Sequence, residues 1–314
     1  MTVYSFLPYQ ISEVLAKTPI KNKGNFDDLV ECKEAWVEWI SKFSGAENKK
    51  EWAITNGIHE ALTHQLAHVY NKYDKIYWFD TDYKFYKVLC MSYNNVGISS
   101  ARLDLIEPNS YVIVSQPNHE GGITPWLKDL ISICQNNGSK IFLDCAFYGT
   151  TFDTLDTSLE VFDAVAFSMS KNFLLGGIRS GIVFSDSLPM TLTVPISEHF
   201  GYSYYNIFAT EVAKNILPLF DCNYITRHAK PIQAQYCLEN NLKPADIWMW
   251  AFDNDGNKIC ITDEISHLIQ KELDNDVEDV SSVYIINESE KGFEHEYDVK
   301  YNYNKGKTII TRSH

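Results

Sequence analysis

The sequence predicts a three-layer α/β/α fold with a mostly parallel central sheet, joined to a smaller α+β domain. Short apolar runs with the length of buried strands lie at 75–79, 111–115, 140–143, 162–167 and 180–184. Helical patterns separate several of these runs, as expected where crossover helices join parallel strands. Ligands bind beyond the carboxyl ends of the strands in such sheets, so polar residues directly after the strands are candidates for function.

Helices are predicted where apolar residues recur every three or four positions. Such patterns occur at 27–44, at 58–69 after a turn signal at 55–57, and at 126–135 before an Asn-Asn-Gly turn. Further helices are predicted at 207–219 and 264–273, and further strands at 248–252, 258–262, 282–286 and 308–311. We expect a large domain at 45–205, with 1–44 and 206–314 forming the small domain and a connecting helix.

Composition restricts the function classes. The 314 residues carry a net charge of −14, which disfavours nucleic acid as a partner because phosphate binding needs clustered cations. No apolar run is long enough to span a membrane, and no signal segment is recognised, so no membrane association is expected. The seven cysteines are scattered without a CxxC pair, which favours a reducing cytoplasm over a disulfide framework.

A lysine directly follows the predicted strand at 162–167. The run 168–181 reads Ser-Met-Ser-Lys-Asn-Phe-Leu-Leu-Gly-Gly-Ile-Arg-Ser-Gly, which places Ser168 and Ser170 before Lys171 and sets Arg179 in a glycine-rich turn. Desolvation or a nearby positive charge lowers the pKa of a lysine and makes its amine a nucleophile. Arg179 supplies such a charge and is suited to binding a phosphate, to which the serine hydroxyls add donors.

This segment resembles the cofactor-lysine motif of fold-type I enzymes that depend on pyridoxal 5'-phosphate (PLP), the aminotransferase class I/II family. The family pattern of Ser-x-Ser-Lys followed by Gly-x-Arg-x-Gly is present at 168–181 without a gap, and the resemblance covers about 50–185 in five ordered segments. It implies that Lys171 carries PLP as a Schiff base and is the catalytic lysine, and that Ser168, Ser170 and Arg179 contact the cofactor.

Asp144 stands at the end of the predicted strand at 140–143, 27 residues before Lys171. In the resembling family, an aspartate at this place pairs with the pyridinium nitrogen and keeps the ring an electron sink. The family then has Asp-x-Ala-Tyr, with the tyrosine hydroxyl on the ring oxygen, whereas Phe147 stands at that place here and Tyr148 follows. Either Tyr148 binds the ring oxygen through a shifted backbone, or the contact is lost.

Another loop, at 115–122, is similar to the family's Asn-Pro-x-Gly loop, whose asparagine also binds the ring oxygen. One register gives this role to Asn118, and a register fixed on Pro117 and Gly122 gives it to His119. We favour Asn118, and the alternative stays open because the match is degenerate.

Two further segments complete the implied cofactor site. The turn at 55–61 resembles the family's phosphate loop, in which backbone N–H groups at a helix N-terminus meet the phosphate, so Gly57, Ile58 and His59 are the expected donors. Tyr83 stands where the family has an aromatic residue on the face of the ring.

The resemblance implies an enzyme that acts on an amino acid through an external aldimine, and a homodimer. Arg312 follows the last predicted strand and is the candidate for binding the substrate carboxylate. We expect an aminotransferase in amino-acid or specialised-metabolite biosynthesis. The alternatives are a PLP enzyme that does not transaminate (a lyase, cyclase, replacement enzyme or decarboxylase) and a non-catalytic protein of the same fold.

The helix predicted at 58–69 also raises a metal-site interpretation. His59, Glu60 and His64 resemble a zincin motif with one residue too many, so His59 and His64 do not share a helix face. Glu60, His64 and His68 do share a face, but they span about 12 Å along the axis and cannot all reach one ion. No metal is expected from these residues.

Overall fold

A computed structural model describes residues 8–21, 24–43, 45–193, 205–278, 297–302 and 307–312. The helices are α1 (Tyr9–Lys17), α2 (Phe26–Trp39), α3 (Ile58–Val69), α4 (Phe85–Cys90), α5 (Leu127–Asn137), α6 (Met190–Thr193), α7 (Ile207–Ile216), α8 (Tyr224–Glu239) and α9 (Thr262–Glu278). The strands are β1 (Glu51–Thr55), β2 (Lys75–Phe79), β3 (Asn95–Ile98), β4 (Ser110–Ser115), β5 (Lys140–Cys145), β6 (Phe162–Ser168), β7 (Gly181–Ser185), β8 (Lys243–Pro244), β9 (Trp250–Phe252), β10 (Lys258–Cys260), β11 (Tyr297–Asn302) and β12 (Lys307–Arg312).

The central sheet has seven strands in the order β1-β7-β6-β5-β4-β2-β3. The pairs β2–β3, β2–β4, β4–β5 and β5–β6 are parallel. Strand β7 is antiparallel to both of its neighbours, β1 and β6. The start of β7 therefore lies at the same edge of the sheet as the ends of the parallel strands.

Helices cover both faces of this sheet, which gives three layers. Alternate strand residues face opposite sides; thus Tyr111 and Ile113 pack with α3 and α4, while Val112 and Val114 belong to the cluster that includes α2, α5 and α7. Strands buried on both faces read as continuous apolar runs, because crossover helices cover the two sides of a parallel sheet. The predicted three-layer fold with a mostly parallel sheet is confirmed.

A smaller three-stranded sheet, in the order β10-β9-β8, follows α8 along the chain. The side chain of Gln233 on α8 holds this sheet, because its Nε2 donates to the carbonyl oxygens of Ala245, Ile247 and Trp250 at 3.0, 3.1 and 2.7 Å. A two-stranded pairing of β11 with β12 comes later in the chain. The domain division at 45–205 stays a prediction, although all seven strands of the central sheet fall within that interval.

Most predicted elements are present, with their ends shifted by a few residues. The helix predicted at 27–44 is shorter, since α2 ends at Trp39, whereas the helix predicted at 264–273 is longer. The strand predicted at 282–286 lies outside the described residues. Within the described part of the chain, no helix is long and apolar enough to cross a membrane.

Candidate active site

The register of β7 brings three chain segments together. Gly181, the first residue of β7, pairs with Thr55 at the end of β1 and with Ser168 at the end of β6. The loop that follows β1, the segment that follows β6 and the turn that precedes β7 therefore meet at one edge of the sheet. Asp144 reaches the same edge, because it pairs with Ala166 two residues before the end of β6.

Lys171 lies in the turn after β6, half-buried at this edge. Its Nζ is 5.6 Å from the centre of the Phe147 ring. Burial lowers the pKa of Lys171; the neighbouring Cys260 and Asp144 oppose this effect, while the charge of Arg179 adds to it. Since a lower pKa favours the neutral amine, the surroundings move Lys171 toward a nucleophilic form.

The two serines before Lys171 contact each other. The hydroxyl of Ser168 donates to Oγ of Ser170 at 2.8 Å and accepts from the backbone N–H of Ser170 at 3.1 Å. Ser168 is buried and Ser170 is half-buried. This pair fixes the tight turn that carries the lysine out of the strand.

The N-terminus of α3 and the Arg179 guanidinium form a cationic pocket. Gly57 precedes α3 with a φ of 86°, a conformation that suits glycine, and a β-carbon there would lie 2.9 Å from Nη2 of Arg179. The first N–H groups of a helix have no intrahelical partner and favour anions. The predicted donors Gly57, Ile58 and His59 thus stand beside Arg179, in an arrangement suited to binding a phosphate.

His59 contributes its backbone to this pocket and its ring to an aromatic group. Burial and the charges of Arg179 and Lys171 lower the pKa of His59, which favours the neutral imidazole. The ring stacks on Tyr83 at 5.4 Å between centres and on Phe85 at 4.9 Å. The ring centre of His119 also lies 5.4 Å from that of Tyr83. Tyr83, the predicted aromatic residue, therefore contacts both histidines.

Asp144 is buried and accepts two hydrogen bonds. Its Oδ2 accepts from the Tyr86 hydroxyl at 2.6 Å, and its Oδ1 accepts from the backbone N–H of Ala146 at 2.8 Å. Burial raises the pKa of Asp144 to about 6, because desolvation outweighs the two hydrogen bonds. Among the described residues, no cation donates a hydrogen bond to Asp144, so a cationic ring nitrogen beside it would supply a positive partner.

A second buried carboxylate, Asp82, was not predicted from the sequence. It accepts from the backbone N–H of Ser115 at 2.8 Å and from that of Tyr83 at 2.7 Å. Burial raises its pKa, and its charge contributes to the raised pKa of Asp144. Asp82 could have been identified as a candidate from the sequence, because it stands directly before Tyr83 in a short polar segment after β2.

The loop after β4 places Asn118 and His119 differently. Oδ1 of Asn118 accepts from the backbone N–H groups of Glu120 and Gly122, at 3.0 and 3.4 Å, so this oxygen stabilises its own loop. The ring of His119 lies 5.4 Å from Tyr83, 5.9 Å from Phe147 and 5.5 Å from Trp250. The imidazole of His119 is therefore the group of this pair that faces the aromatic side chains of the site.

Phe147 and Tyr148, the two aromatic residues after Asp144, also point in different directions. Phe147 faces Lys171, His119 and Trp250. The hydroxyl of Tyr148 instead accepts from the backbone N–H of Lys42 at 3.1 Å and donates to the carbonyl of Trp39 at 3.4 Å. Tyr148 thus anchors the end of α2, and this engagement argues against the cofactor contact predicted for it.

The small sheet adds residues that the sequence did not identify. Trp250 on β9 packs 5.0 Å from Phe147, and Nζ of Lys258 on β10 lies 4.1 Å from the centre of the Trp250 ring. Lys258 also donates to the backbone carbonyl of His119. The sequence could not assign Trp250 and Lys258 to this site, because they lie on short strands far along the chain and nothing in the sequence indicates what those strands pack against.

Asn206 also joins the site without having been predicted. It precedes α7, and its Nδ2 donates to Oδ1 of Asn56 at 3.2 Å and lies 3.5 Å from the carbonyl oxygen of Ile178. It therefore links the loop after β1 to the turn that holds Arg179.

The sequence also offered Arg312 and the histidines of α3 as candidates. Arg312 is the last residue of β12, and its side chain lies outside the described part of the chain, so its role stays a prediction. The histidines of α3 diverge: His59 stacks on aromatic rings, His64 contacts Thr191 Oγ1 at 2.9 Å, and His68 contacts Ser187 Oγ at 3.0 Å.

The protein is of the open-sheet α/β class. In this class, ligands bind beyond the carboxyl ends of the strands, which is where these residues lie. The model of the aminotransferase class I and II family matches residues 9–245. The chain belongs to this family, which confirms the resemblance to fold-type I PLP-dependent enzymes.

Individual relatives differ in reaction. A histidinol-phosphate aminotransferase from Lactococcus lactis subsp. cremoris (strain SK11) is 29% identical over 151 residues, so the match spans 45% of this chain and 42% of that relative. The structure of an aromatic aminotransferase from Pyrococcus horikoshii OT3 has a TM-score of 0.59 at 16% identity, covering 80% of this chain and 78% of that one. A PLP-bound C–S lyase from Staphylococcus hominis has a TM-score of 0.56 at 16% identity, covering 80% and 74%. These structural likenesses show the fold.

The raised pKa of Asp144 leads to a test of its environment in the cofactor-free protein. Because the folded-state pKa is about 6 against an ordinary value of 3.8, folding opposes ionisation of Asp144, at a cost of roughly 3 kcal/mol once it is ionised. This loss of folding free energy increases as the pH rises from about 4, where Asp144 ionises in the unfolded chain, to about 6, where it ionises in the folded protein. Asp144→Asn should therefore raise the free energy of unfolding at pH 7.5, and by much less at pH 4.5.

Denaturant unfolding at both pH values measures this difference. The matched control is Asp255→Asn in the exposed turn between β9 and β10, which should change stability little at either pH. A gain from Asp144→Asn that is equal at pH 4.5 and 7.5 would show that ionisation of Asp144 carries no cost.

Proposed function

We propose that this protein is a PLP-dependent enzyme that acts on an amino acid, as an aminotransferase in amino-acid or specialised-metabolite biosynthesis. The observation that carries the proposal is the meeting of Lys171, Asp144 and Arg179 at one edge of the sheet, with Arg179 against Gly57. Membership of the aminotransferase class I and II family supports an enzyme of the transferase class.

The residues present fit the chemical groups of PLP. The N-terminus of α3 with Arg179 suits a phosphate, Asp144 suits a protonated ring nitrogen, and Lys171 suits an aldehyde. The bare α-carbon of Gly57 leaves room for the close approach of Arg179. When bound, PLP supplies the electron sink that stabilises negative charge at the α-carbon of a substrate.

Each side chain then has a definable task. Lys171 would hold the cofactor and, once displaced by the substrate amine, would accept and return a proton at its Nζ, for which its lowered pKa is suited. Asp144, oriented by Tyr86, would hold the ring nitrogen in its protonated form. Tyr83 and His119 would enclose the ring, and Ser168 and Ser170 would add hydroxyl donors beside Lys171.

A second candidate is a PLP enzyme on the same fold that does not transaminate. It is favoured by the fold likeness to a C–S lyase and by Phe147, which has no hydroxyl at the place where the family pattern has a tyrosine. The residues that would bind the cofactor do not decide which substrate bond is broken. A cytoplasmic location stays a prediction that rests on the cysteine pattern.

The cofactor assignment predicts a visible change. The purified protein incubated with PLP should absorb in the Schiff-base band, and Lys171→Ala should abolish this absorption because the linking amine is gone. The matched control, Lys128→Ala on exposed α5, should keep the band. Absorption spectra and borohydride trapping with mass spectrometry measure the linkage, and a wild-type protein that takes up no PLP would refute the proposal.

The reaction class is tested on PLP-loaded protein with a panel of amino acids. Transamination should yield the keto acid of the donor together with an aminated cofactor, recovered in equal amounts. Chromatography of both products after a single turnover measures this balance. Release of ammonia, a thiol, a decarboxylated amine or a cyclic product without aminated cofactor would instead support the second candidate.

We also propose a homodimer, as the family resemblance implies. Phe85, Val88 and Met91 expose apolar side chains on and directly after α4, beside the aromatic group of Tyr83 and His59. A contiguous exposed apolar surface of this kind favours protein association. Sedimentation velocity of the loaded protein should give a dimer, and an active monomer would contradict this prediction.

A further inference from the structure

One face of the small sheet closes over the candidate active site. Trp250 pairs with Cys260, and Phe252 pairs with Lys258, so these four side chains project from the same face of the β9–β10 ribbon. Trp250 contacts His119 and Phe147, and a β-carbon at Gly121 would lie 2.9 Å from the ring of Phe252. The ribbon thus packs against both loops that face Lys171.

Lys258 is the cation on this face, and it is half-buried. Its Nζ lies over the Trp250 ring at 4.1 Å and donates one hydrogen bond to the carbonyl of His119. Within the described part of the chain, it makes no direct ion pair; burial lowers its pKa, and the carboxylates of Glu120 and Asp82 are near enough to oppose this effect. Since an ammonium has three donors and its burial is costly without a negative partner, an anion from outside the chain would offset that cost.

The position of Lys258 relative to Lys171 suits a small substrate. Nζ of Lys171 contacts the Phe147 ring, Phe147 packs on Trp250, and Trp250 contacts Nζ of Lys258, at 5.6, 5.0 and 4.1 Å. Each ammonium group thus lies against one ring of this aromatic pair, and Cys260 influences the pKa of both.

The charges around His119 point the same way. Burial, followed by the charges of Lys258, Lys171 and Lys84, lowers the pKa of His119 to about 4. Three lysines therefore converge on a neutral imidazole. Arg179 lies against Gly57 at the N-terminus of α3, whereas Lys258 lies against Trp250 and the carbonyl of His119, so the two cations have different neighbours in the site.

We propose that Lys258 binds an anionic group of the substrate, a carboxylate or a phosphate monoester, and thereby determines substrate specificity. This inference rests on the proposed function, because it assigns the end of the substrate that lies away from Lys171. The aromatic pair between the two lysines would contact the apolar part of the substrate, while the two remaining donors of Lys258 would bind its anionic oxygens.

The test measures binding of unreactive anions to the PLP-loaded protein by titration calorimetry. The probes are 3-phenylpropionate and phenyl phosphate, which lack an amine and cannot react at Lys171, and the neutral reference is 3-phenylpropanamide. Lys258→Met, which keeps the apolar stem on Trp250, should weaken binding of the preferred anion by at least about tenfold. Lys258→Arg should restore most of the affinity, and binding of the amide should not change.

Lys243→Met is the matched control, because Lys243 lies on the exposed edge strand of the same sheet, opposite Phe252. It should leave both affinities unchanged. Which anion loses more affinity in Lys258→Met identifies the carboxylate or the phosphate as the bound group. Equal affinities of wild type and Lys258→Met, or no anion binding by wild type, in samples that show the Schiff-base band would overturn this inference alone. Absence of the band would overturn the proposed function and this inference with it.

Discussion

The site depends on the reversed direction of one strand. If β7 ran parallel to β6, the turn before it would lie at the opposite edge of the sheet, and Arg179 would be a strand length away from Lys171. Antiparallel pairing sets Gly181 between Thr55 and Ser168, so the segments bearing Gly57, Lys171 and Arg179 converge within one row of the sheet. The backbone hydrogen bonds of the sheet thus fix the distances on which the proposed chemistry depends.

Charge is sorted by depth around this edge. The carboxylates Asp82 and Asp144 are buried, while the cations Lys171, Arg179 and Lys258 are half-buried. A ligand group of opposite charge would stabilise each of these side chains. A cationic ring would stabilise the ionised form of Asp144, and anions would stabilise the cations. A ligand that carries both kinds of charge would therefore bind the folded state and stabilise it, to an extent set by its concentration and its affinity.

The sequence predicted the sheet well because strands covered on both faces form nearly unbroken apolar runs, such as 111–115 and 140–143. It failed at both edge strands, β1 and β3, the second of which contains Asn95 and Gly97. It also failed at α8, where Pro231 interrupts the helical pattern and Gln233 is buried. The positions of Lys171 and Asp144 at the ends of strands depend on local sequence and could be predicted. The different directions of Phe147 and Tyr148, and the position of Lys258, depend on packing between elements distant in sequence.

The same contrast explains why this family's fold is compatible with different reactions. The residues proposed to bind the cofactor come from the sheet edge, where hydrogen-bond register allows little variation. The proposed substrate side is closed by a short ribbon held through Gln233 and by aromatic packing between Trp250 and Phe147. Such contacts can change with a few substitutions while the sheet is preserved, so selectivity is expected to reside in the ribbon and in the loop of His119. Reaction specificity must therefore be argued from those side chains, since the fold alone is shared by transferases and lyases.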